Sequence, residues 1–289
     1  MKFGVNSFIW SSSFDRSCLP LLDAVRTHGF DGIELPLINP GDLQDPVIAA
    51  ALAASGLECT ICSVLPPELS IVTEDTTVRQ KTLEHMRQCI ETAARLGARI
   101  IAGPLYTPVG YLPGRRRTSQ EWDRAVEFYR SIGTMLDAYD VTIAIEPLNR
   151  FETYFLNTVS DAVALCDEIA HRKVGILFDT FHANIEEKNI PSACRACGEH
   201  LRHVHTSEND RGIPGTGHVD WQGLFAVLNE MGYNGWLTIE SFGFSLGALS
   251  AAASIWRDLA PTVEAIAFDG IQFLKQAASK HFLTNRGAV

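Results

Sequence analysis

The sequence predicts a single (β/α)8 TIM barrel of the α/β class spanning residues 1–289, and three observations carry that reading. Short apolar, β-branched runs alternate with amphipathic stretches along the whole chain. The runs are rich in Ile, Val and Leu on both faces, as strands of a helix-covered parallel sheet must be. Eight such units in 289 residues match a closed barrel, which typically takes about 250. The 46% hydrophobic and 20% charged residues are enough to fill one globular core. An open doubly wound sheet is the alternative, but no GxGxxG follows the first strand.

The units can be justified in order. FGVNSFIW (3–10) reads as a strand, followed by LLDAVRTHGF with helical spacing and Gly29 as its stop. GIELPLI (32–38) is the second strand, and PVIAAALAASG the helix after it, ending on Gly56. LECTICSV (57–64) is the third strand, before a long helix from about Val78 to Leu96, closed by Gly97. ARIIAGPLY (98–106) is the fourth, and EWDRAVEFYRSIGTMLDAY (121–139) reads as one helix. VTIAIEPL precedes the helix DAVALCDEIA, VGILFDTFH precedes a helical region around ACRACGEH, and LRHVHTSE precedes WQGLFAVLNEMG. WLTIESF (236–242) closes the set.

Charge narrows the function classes. Asp and Glu number 34 against 24 Lys and Arg, a formal net charge of -10, which disfavours nucleic acid and anionic membrane as partners. No run approaches the ~18 apolar residues of a membrane span, and MKFGVNSFIW lacks a basic leader, so a cytoplasmic protein is expected. The seven cysteines suit a reducing compartment. Cys59 and Cys62 are expected on opposite faces of a strand, so they do not share a metal. Cys194 and Cys197 could sit a helical turn apart, but all seven read as small buried hydrophobes. The Gly212–Gly217 loop lacks the Lys-Ser/Thr of a phosphate cradle, and Arg115–Arg117 reads as a solvated run.

Barrel chemistry sits at the C-terminal ends of the strands. Strand five ends in Glu146, strand six in Asp179, strand seven in His205 and strand eight in Glu240, each directly behind an apolar run. Any one of them alone reads as a helix cap or ion pair. Four in successive units would be costly to desolvate together, and a divalent cation removes that cost. Three carboxylates and an imidazole form a mostly hard ligand set, suited to Mn2+ or Mg2+, with Co2+ or Zn2+ open. Glu152, His182 and Arg211 follow on the same rim and could orient a polyhydroxylated ligand. His203, two residues before His205, is expected deeper in the barrel as a supporting or core residue.

At these residues the chain closely resembles the ketose 3-epimerase family (the D-tagatose, D-allulose and L-ribulose 3-epimerases) of the xylose-isomerase-like barrel superfamily. The matching pieces are EPLNRFET (146–153), DTFHANIEE (179–187), HVHTSENDRG (203–212) and IESF (239–242). The resemblance implies one divalent metal, first of all Mn2+ with Co2+ or Mg2+ as alternatives, held by Glu146, Asp179, His205 and Glu240. It implies that Glu146 and Glu240 are also the acid/base pair, and that Glu152, His182 and Arg211 bind the O1–O2 end of a free ketose. A homodimer or homotetramer is implied too, with Arg115–Arg117 and a C-terminal helix around Trp256 as candidate contacts. Members of the family often carry glycine where Ser207 stands, valines at Pro147 and Leu148, and an aromatic near Asn6 or Ser7, expected to line the sugar's far end.

The chemistry is coherent. The hydrogen next to a ketone is a poor acid, so its removal needs a base and stabilisation of a cis-enediolate. Two carboxylates on opposite faces then invert C3 without any redox cofactor. Competing readings are an aldose–ketose or hydroxypyruvate isomerase, an enzyme of keto-inositols or oxo-glycosides, a nuclease related to endonuclease IV, and a sugar-binding barrel without activity. The net charge opposes the nuclease, and the paired glutamates oppose the inert barrel.

Overall fold

A computed structural model describes residues 1–282. Its elements are β1 (Lys2–Asn6), α1 (Pro20–Thr27), β2 (Gly32–Pro36), α2 (Pro46–Ser55), β3 (Glu58–Cys62), α3 (Thr76–Arg95) and β4 (Ile100–Gly103). There follow α4 (Ser119–Ser131), α5 (Gly133–Tyr139), β5 (Thr142–Ile145), α6 (Val159–Ile169), β6 (Val174–Asp179), α7 (Thr180–Glu186) and α8 (Ile190–Ala196). The chain continues with β7 (Leu201–His205), α9 (Trp221–Glu230), β8 (Trp236–Ile239), α10 (Ala248–Ala252) and α11 (Val263–Phe282). All eight strands pair in parallel in sequence order, and β8 pairs with β1, so the barrel is closed. Residues 283–289, the end of the single domain expected over 1–289, lie outside the described residues.

Local chemistry explains most boundaries. Asp45 accepts from the Val47 N–H and Pro46 opens α2, while Gly56, at φ +73°, closes it. Asp75 caps α3, and Thr118 with Glu121 forms a capping box on α4. Three expectations needed correction. The first strand stops at Asn6 rather than Trp10, because the Asn6 side chain accepts from the Phe8 N–H and turns the chain into a 3-10 segment. The helix expected over 121–139 is two, broken at Ile132; Gly133 there lets the backbone approach the His171 ring, which an added Cβ would meet at 2.8 Å. Trp256 is not on a helix but in the loop between α10 and α11, 76% exposed.

The core has two parts. Outward-facing strand residues such as Ile33, Ile143, Ile176 and Leu237 pack against the helices in one large cluster. Inside the barrel, Ala102, Ala144 and Leu177 form a small apolar cluster. Buried Asn6, Glu34, Thr60, His203 and Thr238 make the rest of that interior polar. Alternation along a strand then fixes the mouth. Glu146, Asp179, His205 and Glu240 each stand two residues beyond Ala144, Leu177, His203 and Thr238, so they are the next inward positions. All seven cysteines are free and buried, with Cys59 in the outer cluster and Cys62 facing inward. No described helix is long and apolar enough to cross a membrane.

Candidate active site

The four strand-end residues converge. Each offers one ligand atom, and those atoms all lie within 4.8 Å of one another. His205 Nδ1 stands 3.3 Å from Glu240 Oε2 and 3.9 Å from both Glu146 Oε1 and Asp179 Oδ2. Asp179 satisfies two readings together: Oδ1 accepts the Phe181 N–H at 2.6 Å and caps α7, while Oδ2 faces the cluster. Glu146 is set by its own N–H, which donates to Gly103 O at 3.1 Å. Its carbonyl accepts from Tyr106 OH at 2.9 Å.

The donor set fits a hard divalent cation. Glu146 Oε1 and His205 Nδ1 are buried without a hydrogen-bond partner among the described residues, and both point into the cluster. Buried polar atoms are ordinarily paired, so two orphaned ones facing each other, both of ligand type, fit a site that takes a cation.

Arg211 reaches the same point from the loop after β7. Its Nη1 donates to Glu240 Oε2 at 2.6 Å, Asp179 Oδ2 at 3.0 Å and Ser207 Oγ at 3.1 Å. The guanidinium stacks over Phe181, 4.0 Å from the ring centroid, and faces Phe242 at 5.1 Å. Its backbone has φ +65°, held where Ser241 Oγ donates to Arg211 O at 2.6 Å. Buried Glu208 fastens the rest of this Gly-rich loop by accepting from the N–H groups of Asn209, Gly215 and Val219 and from the Trp221 indole. His182 receives the Asn149 N–H on Nδ1 at 3.1 Å, and its Nε2 lies 3.2 Å from Arg211 Nη2 and 3.6 Å from Glu146 Oε1. Glu152 accepts from Asn149 Nδ2 at 2.7 Å. All seven residues expected at the site are therefore together.

Electrostatics separates the two glutamates. Burial, reinforced by the neighbouring Glu240 charge, pushes the Glu146 carboxyl well above the ordinary range. Burial also opposes ionisation of Glu240, but the charges of a protonated His205 ring and of Arg211 outweigh it and hold Glu240 well below that range; a cation bound in the site would take the place of the His205 Nδ1 proton. Burial raises Asp179 to about 6 against the pull of Arg211. Burial depresses His182, with Arg211 adding to the effect, so its ring is neutral. Two neighbouring carboxyls whose proton affinities are pushed in opposite directions suit an acid and a base at one pH.

A cavity of 130 Å3 opens on these groups, lined at the site by Glu146, Glu152, His182, Arg211 and Glu240. Its other wall is apolar, made by Phe8, Val64, Val109, Leu148, Phe242 and Leu249 among others. Asn6 and Ser7 do not line it, contrary to expectation, because Asn6 turns inward to bond Glu34; the aromatic neighbour that does is Phe8. The larger cavity, 780 Å3, lies outside the mouth around Tyr111, Arg115, Glu121 and Arg124 and contains none of the four ligand candidates. The Arg115–Arg117 run is exposed at Arg115 and Arg116, and two of its members also make ion pairs, Arg115 with Glu121 and Arg117 with Asp161.

Sequence reasoning missed Glu34. It is fully buried inside the barrel, 2.8 Å from His205 Nε2. The available signal was a lone charge within the apolar strand GIELPLI. Cys62, whose Sγ donates to Glu240 Oε1 at 3.8 Å, was also missed as a site neighbour.

The xylose isomerase-like TIM barrel family model matches residues 22–277. A Synechocystis protein named "Probable ketose 3-epimerase" is 37% identical over 277 residues, 96% of each chain. The chain belongs to the ketose 3-epimerases of that barrel family. It is an isomerase of the carbohydrate-epimerase type. A solved L-ribulose 3-epimerase superposes with a TM-score of 0.92 at 31% identity, covering 99% of this chain and 97% of its own. The Methylomonas D-allulose 3-epimerase in complex with D-allulose superposes with a TM-score of 0.91 at 26% identity, covering 96% and 97%. Membership accounts for the barrel and for carbohydrate as the class of ligand in the cavity.

Proposed function

We propose that this chain is a metal-dependent ketose 3-epimerase that interconverts free ketohexoses or ketopentoses at C3: D-tagatose with D-sorbose, D-fructose with D-allulose, L-ribulose with L-xylulose. One observation carries the reading: Glu146 and Glu240 meet Asp179 and His205 within 4.8 Å at the wall of one cavity. The names of the relatives support the choice of ketoses.

Glu146, Asp179, His205 and Glu240 would hold one divalent metal, Mn2+ before Co2+ or Mg2+. When bound, it supplies a Lewis acid that polarises the C2 carbonyl. Arg211, His182 and Glu152 bind O1 and O2 of the ketose and present C3 to the glutamates. Ionised Glu240 takes the C3 proton, and neutral Glu146 returns one from the other side. β5 and β8 stand three strands apart round the barrel, so the two carboxyls approach from different directions and the configuration inverts. In the reverse reaction Glu146 is the base and Glu240 the acid. The apolar far wall grips the rest of the chain without polar discrimination. The seven free thiols fit a cytoplasmic enzyme, working as one domain per subunit in a homodimer or homotetramer.

The test is product analysis. Metal-stripped protein reloaded with Mn2+ and given D-allulose, D-tagatose or L-ribulose should yield the matching 3-epimer and no aldose. Aldose as the sole product would move the activity to an aldose–ketose isomerase.

A further inference from the structure

The interior of the barrel below the four ligand candidates holds a carboxylate that the mechanism does not use. Glu34, on β2, is fully buried and has no Lys or Arg partner among the described residues. It collects donors instead. Asn6 Nδ2 reaches Oε1 at 3.0 Å and Thr60 Oγ1 reaches Oε2 at 2.9 Å. His205 Nε2 lies 2.8 Å from Oε1; His203 Nε2 stands 2.9 Å from Oε2 but outside hydrogen-bond geometry. A carboxylate with Asn and Thr donors already on it acts as an acceptor, so the imidazole facing it must bring the proton.

We propose that Glu34 is the positioning residue of the metal centre: by accepting the Nε2–H of His205 it fixes the ring's orientation and tautomer, leaving Nδ1 as the electron-pair donor. Nδ1 is the ring atom that faces Glu240, Glu146 and Asp179, and it has no hydrogen-bond partner among the described residues. A metal-binding histidine whose other nitrogen is anchored by a carboxylate is a recurring device, and loss of such an anchor typically weakens metal binding. Asn6 and Thr60 in turn fix Glu34, so β1, β2 and β3 jointly aim a side chain on β7 across the barrel.

The inference rests on the metal reading above, and the experiment separates the two. In wild-type protein labelled with 15N-histidine and saturated with Mg2+, the His205 ring should carry its proton on Nε2. Mn2+ affinity, followed by the EPR signal of the free ion, should fall about 10–100-fold in Glu34→Ala. Glu34→Gln keeps one acceptor oxygen for His205 and should recover most of the lost affinity, which a mere filling role would not single out. A His205 proton on Nδ1 overturns the proposal and needs no variant, so the test survives if Glu34→Ala fails to fold. Folded Glu34→Ala with wild-type Mn2+ affinity overturns it as well. Wild-type protein that binds no Mn2+ overturns the metal reading together with this inference.

Discussion

Asp179 divides its two oxygens between fold and chemistry, and that division can be tested. Asparagine caps helices as well as aspartate does, so Asp179→Asn should keep α7 and change stability by less than about 1 kcal/mol. It should nonetheless weaken Mn2+ binding and lower turnover at least tenfold; a full loss of folding, or unchanged metal affinity, would contradict the assignment. Glu146→Gln and Glu240→Gln should each lower epimerisation by about 10²–10⁴-fold, the usual worth of a positioned acid or base. Both should fold: burial already pushes the Glu146 carboxyl toward its neutral form, and Arg211, on losing the Glu240 charge, keeps Asp179 Oδ2 at 3.0 Å. Near-wild-type turnover in either would remove the two-glutamate scheme. These residues were legible in the sequence because strand alternation makes the first polar position behind an apolar run the next inward one. Glu34 was not, since its partner His205 is 171 positions away and only barrel closure brings β2 and β7 face to face.

At the scale of elements, two junctions set the site and the stability. Gly103 ends β4 at φ +140°, where a Cβ would stand 2.0 Å from Ser63 O, and its carbonyl holds the Glu146 N–H. Gly103→Ala should therefore cost about 3 kcal/mol or more, read as a lowered Tm, and should reduce activity with it. A stable, active variant would contradict that close approach. The start of α4 gives a pH dependence. Burial pushes the Glu121 carboxyl up, but Arg115, the Thr118 N–H and Tyr154 outweigh it and bring it from 4.5 to about 2. Its contribution is complete above pH 4.5 and is lost as the pH falls towards 2. The Tm gap between wild type and Glu121→Gln should be widest above pH 4.5 and close below it; a gap independent of pH would contradict the ionised cap. A helix stop such as Gly56 was readable because it acts on its own helix. The break at Ile132 was not, because it answers to His171, on another part of the chain.

The whole molecule combines a conventional outer core with a barrel interior that is half polar and converges on one point. Three carboxylates and an imidazole held within 4.8 Å of one another oppose folding unless they are neutralised. Metal binding should therefore stabilise the entire domain, by about 3 kcal/mol at a hundredfold excess over Kd. Chelation with EDTA should lower Tm by several degrees and Mn2+ should restore it; a Tm indifferent to both would contradict the metal centre. The repeating strand–helix pattern made the barrel legible, since each unit needs only local alternation, whereas the apolar far wall is assembled from Phe8, Val64, Val109 and Leu249 on four separate segments. The most direct test of the central claim is solvent exchange followed by NMR. Mn2+-loaded protein turning over D-allulose, D-tagatose or L-ribulose in D2O should place deuterium at C3 as the 3-epimer forms. Deuterium at C1 with aldose formation, or turnover with no exchange at C3, would contradict it.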